Sequence, residues 1–257
     1  MLKRQVSALV PILLFLLLWD VLARRLGPGL LPRPQAVFGD FCRRLGDPVF
    51  LGHCGWSFFR SGAGILLGTA AAYPLGVLLG AVPWLGRSLS PLISLSYPVP
   101  KILFLPALLV ILGLGEAPKV MLVALTVGYL ALVTVKDRAA SLDRGYLESF
   151  HSVYPGGGGP GKTLRKAFLL ARHVHVPYTL PAVWSSLRLS SGTAVAVLFM
   201  AESFATQEGL GFVIMDAWGL MDLPRMFSGI AFMGLLGGLY FALAGILERL
   251  FCRWTRI

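Results

Sequence analysis

Gly156-Gly157-Gly158-Gly159-Pro160-Gly161-Lys162-Thr163 fits GxxxxGK[ST], the spacing at which backbone amides cradle nucleotide phosphates and a lysine reaches them. Such a loop works only where a buried strand and a helix N-terminus aim those amides at the phosphates. Ser152 to Pro155 is too short and too proline-broken for that strand, and no alternation of strands and helices surrounds it. The match reads as a coincidence within a glycine-rich insert. His173 and His175 stand two apart, on different sides of any helix, so they do not share a metal. Cys42, Cys54 and Cys252 are scattered and odd in number, which reads as free thiols. No Ser/His/Asp or Cys/His grouping falls at one depth of the apolar runs. The expectation is no catalytic residue, no metal and no cofactor.

Chemistry remains in the charges that interrupt apolar sequence. Lys101 follows Ser94, Ser96 and the run Tyr97-Pro98-Val99-Pro100. A charge at the bilayer centre costs about 2.5 to 3.5 kcal/mol on insertion scales, so Lys101 needs water or a partner. Proline removes an amide donor and clashes with the preceding turn, so the segment must kink or open, and broken backbone at membrane depth needs protein or a water-filled cavity. Ser94, Ser96, Pro98, Pro100 and Lys101 are therefore candidates for a pore. Glu202 closes a later apolar span, ahead of Glu208-Gly209-Leu210-Gly211. It either caps or pairs, with Lys101 or Arg225, or else it faces a pore and helps gate an anion path. Arg188 lies about 21 Å of helix from Glu202, too far to pair with it, and reads as snorkelling to an interface. Asp20 reads as interfacial.

The elements that carry these residues must lie in a membrane. The chain has 257 residues, 56% hydrophobic and 14% charged, with a mean hydropathy of +0.75. One soluble core could not hide that surface, whereas lipid accepts it. Six runs approach the roughly 20 residues that cross a bilayer: Val6 to Leu22, Trp56 to Val82, Leu89 to Leu112, Ala117 to Val135, Leu180 to Ala201 and Phe227 to Leu247. They are continuously apolar rather than alternating, which favours helices over a barrel. The first follows Lys3 and Arg4 but no small-x-small site ends it, so it reads as an uncleaved helix. The net charge of +11 flanks the hydrophobic runs and points to topology rather than nucleic acid. Lys/Arg bias favours both termini inside, although Arg24, Arg25, Arg33, Arg43 and Arg44 then make the first outer loop unexpectedly basic. An interfacial helix near Ala36 to Leu45 would hold some of them among headgroups. Gly64 and Gly68, Gly76 and Gly80, and Gly234 and Gly238 are small-xxx-small pairs, read as packing within the chain.

Several stretches resemble permease subunits of bacterial type I ABC importers, in the branch that imports nitrate, taurine, aliphatic sulfonates and thiamine precursors. They are Leu31-Pro32-Arg33-Pro34 after the first helix, the proline-rich segment Tyr97 to Glu116 with its Gly-x-Gly-Glu turn, and Val176 to Gly211. The resemblance covers about Leu31 to Leu247. It implies an all-α membrane protein of about six transmembrane helices with the MetI-like permease fold, which performs no chemistry itself. It also implies a coupling loop, whose Glu-Ala-Ala motif docks on a separate ATPase. Leu147, Glu148, Ser149 and Phe150 occupy that position, Gly156 and Gly157 sit where a single glycine belongs, and Pro177 and Pro181 match the exit. Ser149 and Phe150 replace two alanines, and the spacing to Pro181 is about ten residues long, a surplus a loop tolerates.

One membrane domain is expected over residues 1–257: first helix 1–26, outer loop 27–55, helices two to four 56–135, coupling loop 136–179, helices five and six 180–257. The implied partners are a dimer of ABC ATPase subunits, which bind the ATP, an external solute-binding protein, a second copy of the chain, and the lipid of the bacterial inner membrane. A secondary transporter or channel is the rival, weakened by the lack of an inverted repeat and of buried ion-coupling acids. A membrane enzyme is weakened by the missing catalytic set.

Overall fold

The computed structural model describes residues 2–154, 160–204 and 206–256, and side chains for 10–154, 165–204 and 206–254. Within these the chain folds as helices α1 Leu2–Leu26, α2 Pro34–Arg44, α3 Pro48–Ala81, α4 Pro83–Ser96, α5 Leu105–Leu112, α6 Glu116–Ala140, α7 Arg144–Val153, α8 Pro160–Leu170, α9 Val176–Glu202, α10 Leu210–Gly219 and α11 Leu223–Phe251. Among the described residues four helices are long and apolar enough to cross a membrane, five if α4 and α5 count as one bent span. The 25-residue α1 is a further apolar helix, with Ile12 to Leu18 turned outward, and α10 is a shorter one.

The third apolar run is not one straight span. Its two halves bend by 88° across residues 97–100 and a 3-10 turn, Lys101–Phe104. Pro98 cannot donate to the Ser94 carbonyl, which accepts from Tyr97 N–H at 3.3 Å instead, a tightened turn that ends α4.

Tertiary contacts divide the chain into two compact units. The first comprises Met1–Phe59 and Phe199–Leu235. Trp19 Nε1 donates to the Pro32 carbonyl at 3.0 Å, tying α1 to the Leu-Pro-Arg-Pro segment, and its ring meets Phe227 at 5.8 Å. Phe41 stacks on Phe232 at 4.2 Å, with Phe50 edge-on at 4.8 Å. The basic first loop, puzzling in the sequence, carries its own counter-charges. Asp20 lies 2.8 Å from Arg24, and Asp40 lies 3.3 Å from both Arg43 and Arg44. A helix does form where an interfacial one was expected, α2, and its Asp40 is buried.

The second unit comprises Arg60–Leu198 and Leu236–Ile257. Here α3 packs on α6 through its glycines. A Cβ added at Gly64 would stand 2.6 Å from Val123 Cβ, at Gly68 2.3 Å from the Ala124 carbonyl oxygen, and at Gly80 2.4 Å from Ala139 Cβ. Backbones come this close only without side chains between them. A Cβ added at Gly234 or Gly238, expected to work alike, would meet nothing within 4 Å among the described residues, whereas one at Gly237 would stand 3.6 Å from Val195 Cγ2. Arg188 does not snorkel alone. Glu248, near the end of α11, lies 3.1 Å from it.

The stretch before the fifth span, read in the sequence as loop-like, is helical. α8 continues through a π-helical turn, Ala171–His175, into α9. The wide turn sets the Val176 N–H on the Ala171 carbonyl, five residues back, just ahead of Pro177. Pro181 cannot serve the Pro177 carbonyl, and Trp254 Nε1 does so at 3.2 Å. Two prolines thus sit in a helix because other donors and a widened turn replace what they remove.

Candidate translocation and coupling sites

Lys101 completes the break after α4. Pro100 has no N–H for the Ser96 carbonyl four residues earlier, and Lys101 Nζ takes that oxygen, together with the Val99 carbonyl at 3.0 Å. The ammonium also stands over the Tyr129 ring, 4.0 Å from its centroid. Tyr129 donates its hydroxyl to the Ile93 carbonyl, fixing α6 to the last turn of α4. Lys101, Ser96 and Tyr129 form the polar part of a cavity of about 660 Å³ whose remaining walls include Leu67, Gly68 and Met121. Among the pore candidates, Ser96 and Lys101 line this cavity, while Ser94, Pro98 and Pro100 are exposed and act through the backbone bend.

Glu202 sits in a different setting. It is 1% exposed and accepts the Ser57 hydroxyl at 2.8 Å on both carboxylate oxygens. The Gly211 amide donates to its Oε2 at 2.9 Å, the Leu210 amide to Ser57 Oγ at 2.8 Å, and the Gly209 amide to His53 Nδ1 at 3.2 Å. His53 and Ser57 are one turn apart on α3, so their side chains share a face. With Glu202 they satisfy the unpaired amides at the start of α10. Gly209 has φ +111°, a backbone only glycine adopts easily, and a Cβ at Gly211 would stand 2.6 Å from Glu202 Cβ. Lys101 and Arg225, the cations expected to pair with Glu202, have other partners: carbonyls for Lys101, and Asp216 at 2.9 Å for Arg225.

A second buried charge site went unread in the sequence. Arg60 is fully buried and grips Glu116 through Nε and, at 2.8 Å, through Nη2. Lys119 Nζ reaches the same carboxylate at 3.1 Å. The available signal was the run of polar residues His53, Ser57, Arg60 and Ser61, spaced by three or four in an otherwise apolar helix.

The proposed motif residues Leu147, Glu148, Ser149 and Phe150 form part of α7. Asp143 caps this helix, accepting the Gly145 amide at 2.7 Å. Phe150 is buried and stacks on Tyr154 at 4.9 Å; Leu147 is half-buried; Glu148 and Ser149 face outward beside exposed Tyr146 and Val153. At the junction with α9, Arg138 lies 4.0 Å over the Tyr178 ring, and the Tyr178 hydroxyl donates to the Ser141 carbonyl at 3.1 Å. Gly156 and Gly157 lie outside the described residues. The segment before the GxxxxGK[ST] match, where a phosphate loop would need a strand, is helix α7.

No family model matches the chain. It is 30% identical to the formylaminopyrimidine transport permease protein ThiX of Halalkalibacterium halodurans, over 99% of both chains. It is 26% identical to the taurine transport system permease protein TauC of Escherichia coli K12, over 91% of this chain and 85% of the relative. The riboflavin transport system permease protein RibX of Chloroflexus aurantiacus is 28% identical, over 88% and 80%. In fold the chain resembles a chain of the MetNI methionine ABC transporter in inward-facing conformations, with a TM-score of 0.63 at 18% identity, over 78% of this chain and 95% of that one.

Proposed function

Because this chain belongs to the family of transmembrane permease subunits of bacterial ABC importers, a multi-pass component of the inner membrane, we propose that its α7 is the coupling element on which a separate ATPase subunit docks. The observation that carries this reading is the build of α7: a capped helix anchored inward by Phe150, presenting Glu148, Ser149, Tyr146 and Val153 outward. Anchoring makes it a stiff lever, and stiff levers transmit nucleotide-driven closure to transmembrane helices. Two copies of the chain enclose the path, two ATPase subunits bind the ATP, and an external solute-binding protein delivers the substrate. Both termini and α7 lie on the cytoplasmic side.

The cavity beside Lys101 is our candidate for part of the translocation path. Its lysine suits an anionic substrate such as a sulfonate; the relatives named for taurine and for aliphatic sulfonates support that class. ATP-driven closure opens the path outward, the binding protein releases its ligand, and hydrolysis resets the pore inward. The Gly156 to Thr163 match takes no part, and ATP stays with the partner subunit. Glu148→Lys tests the docking reading in proteoliposomes holding permease, ATPase and binding protein. It should leave insertion intact and uncouple hydrolysis from uptake, whereas unchanged uptake would count against α7 as the coupling element.

A further inference from the structure

The first unit holds an apolar groove of about 770 Å³ lined by α1, α2 and α11, with Phe15, Trp19, Leu22, Phe38, Phe41 and Phe227 among its walls. The α1 residues in the groove are 15, 16, 18, 19 and 22, and the stripe of 15, 18 and 22 runs on to Arg25 about one turn later. Arg33 stands between Leu31 and Pro34, both groove residues.

Counter-charges nearby are incomplete. Residues 20–47 carry five arginines against Asp20, Asp40 and Asp47, a surplus of two. Arg24, Arg43 and Arg44 are paired at 2.8 to 3.3 Å. Arg33 is 53% exposed with its nearest carboxylate 3.9 Å away, and Arg25 is exposed with no ion pair among the described residues. Arg33 thus adjoins groove residues in sequence and lies beside Asp20, the neighbour of Trp19, while Arg25 continues the α1 stripe that lines the groove, in a protein that crosses a bilayer.

We propose that this groove is a binding site for an anionic phospholipid, with one acyl chain along the aromatic wall and the phosphate at Arg25 and Arg33. An acyl chain is the apolar ligand that a membrane supplies to such a groove, and basic pockets beside transmembrane helices hold anionic headgroups. A bound phosphate also offsets the surplus charge of residues 20–47.

Native mass spectrometry of the full-length permease in detergent, titrated with dioleoylphosphatidylglycerol or dioleoylphosphatidylcholine, tests this. The wild-type protein should retain the phosphatidylglycerol in preference to the phosphatidylcholine. The double variant Arg25→Gln/Arg33→Gln should lower the bound fraction about tenfold, and Ala231→Trp should block the groove without changing charge. Arg249→Gln, at an exposed arginine on the last helix, should bind as wild type. Equal retention of the two lipids, no retention of phosphatidylglycerol, or undiminished binding by a folded double variant would overturn the proposal.

Discussion

Two interrupted helices carry the two charges that stand out in the sequence, and the chain treats them oppositely. After α9, the interruption is closed. Glu202, Ser57 and His53 accept the Gly211, Leu210 and Gly209 amides, with Glu202 1% and Ser57 0% exposed. After α4, the interruption stays open: one half-buried lysine serves the Ser96 carbonyl that Pro100 abandons, together with the Val99 carbonyl, and it borders a cavity of about 660 Å³. A buried carboxylate ringed by donors is costly to disturb and hard to use for traffic. A cation on carbonyls at a cavity wall can exchange those oxygens for a ligand's. Both residues were candidates for a pore; Glu202 clamps the start of α10, and Lys101 borders a cavity wall.

The largest effect expected from breaking that contrast is at the clamp. Glu202→Ala leaves the Gly211 amide and the Ser57 hydroxyl short of an acceptor, at about 1–3 kcal/mol each. Thermal unfolding in detergent should shift well below wild type, and a wild-type melting curve would refute the clamp. Gly211→Ala should cost about 1–3 kcal/mol, because its Cβ would strike Glu202 Cβ at 2.6 Å unless α10 shifts. The same melting assay reads it.

At the wall the ranking reverses. Lys101→Met should change stability by no more than about 1 kcal/mol, yet slow uptake of an anionic substrate. Lys101→Cys should react with a water-soluble thiol reagent in at least one nucleotide state. No labelling in any state, with transport intact, returns Lys101 to packing. The smallest effect is expected of Lys162→Ala, which should leave ATP binding by the assembled complex unchanged. ATP binding by the permease alone, abolished by that change, would revive the phosphate loop.

What was legible in the sequence follows the same physics. Apolar runs of spanning length announced the helices, since lipid leaves backbone groups no alternative. Pro98 and Pro100 announced the bend, because a missing N–H is visible in the sequence. The helical state of residues 171–179 was not legible: they fell within the coupling loop, and the Trp254 Nε1 that makes up for Pro181's missing N–H comes from far along the chain. The Ser57 partner of Glu202 was hidden for a related reason. Charge suggested another charge, Lys101 or Arg225, while Ser57, lying 145 residues away, offered no signal beyond being polar among apolar neighbours. Arg60 and Glu116 were likewise separated by 56 residues and only meet once α3 packs on α6.

The central claim is that this chain is a passive path driven by another subunit's ATP. Its most direct test is uptake into proteoliposomes containing the permease, its ATPase and its solute-binding protein, using radiolabelled taurine and alkanesulfonates. We predict accumulation only with ATP available to the ATPase face and with all three components present. Accumulation by the permease alone, without ATP and driven by an ion gradient, would contradict the account and make the chain a secondary transporter.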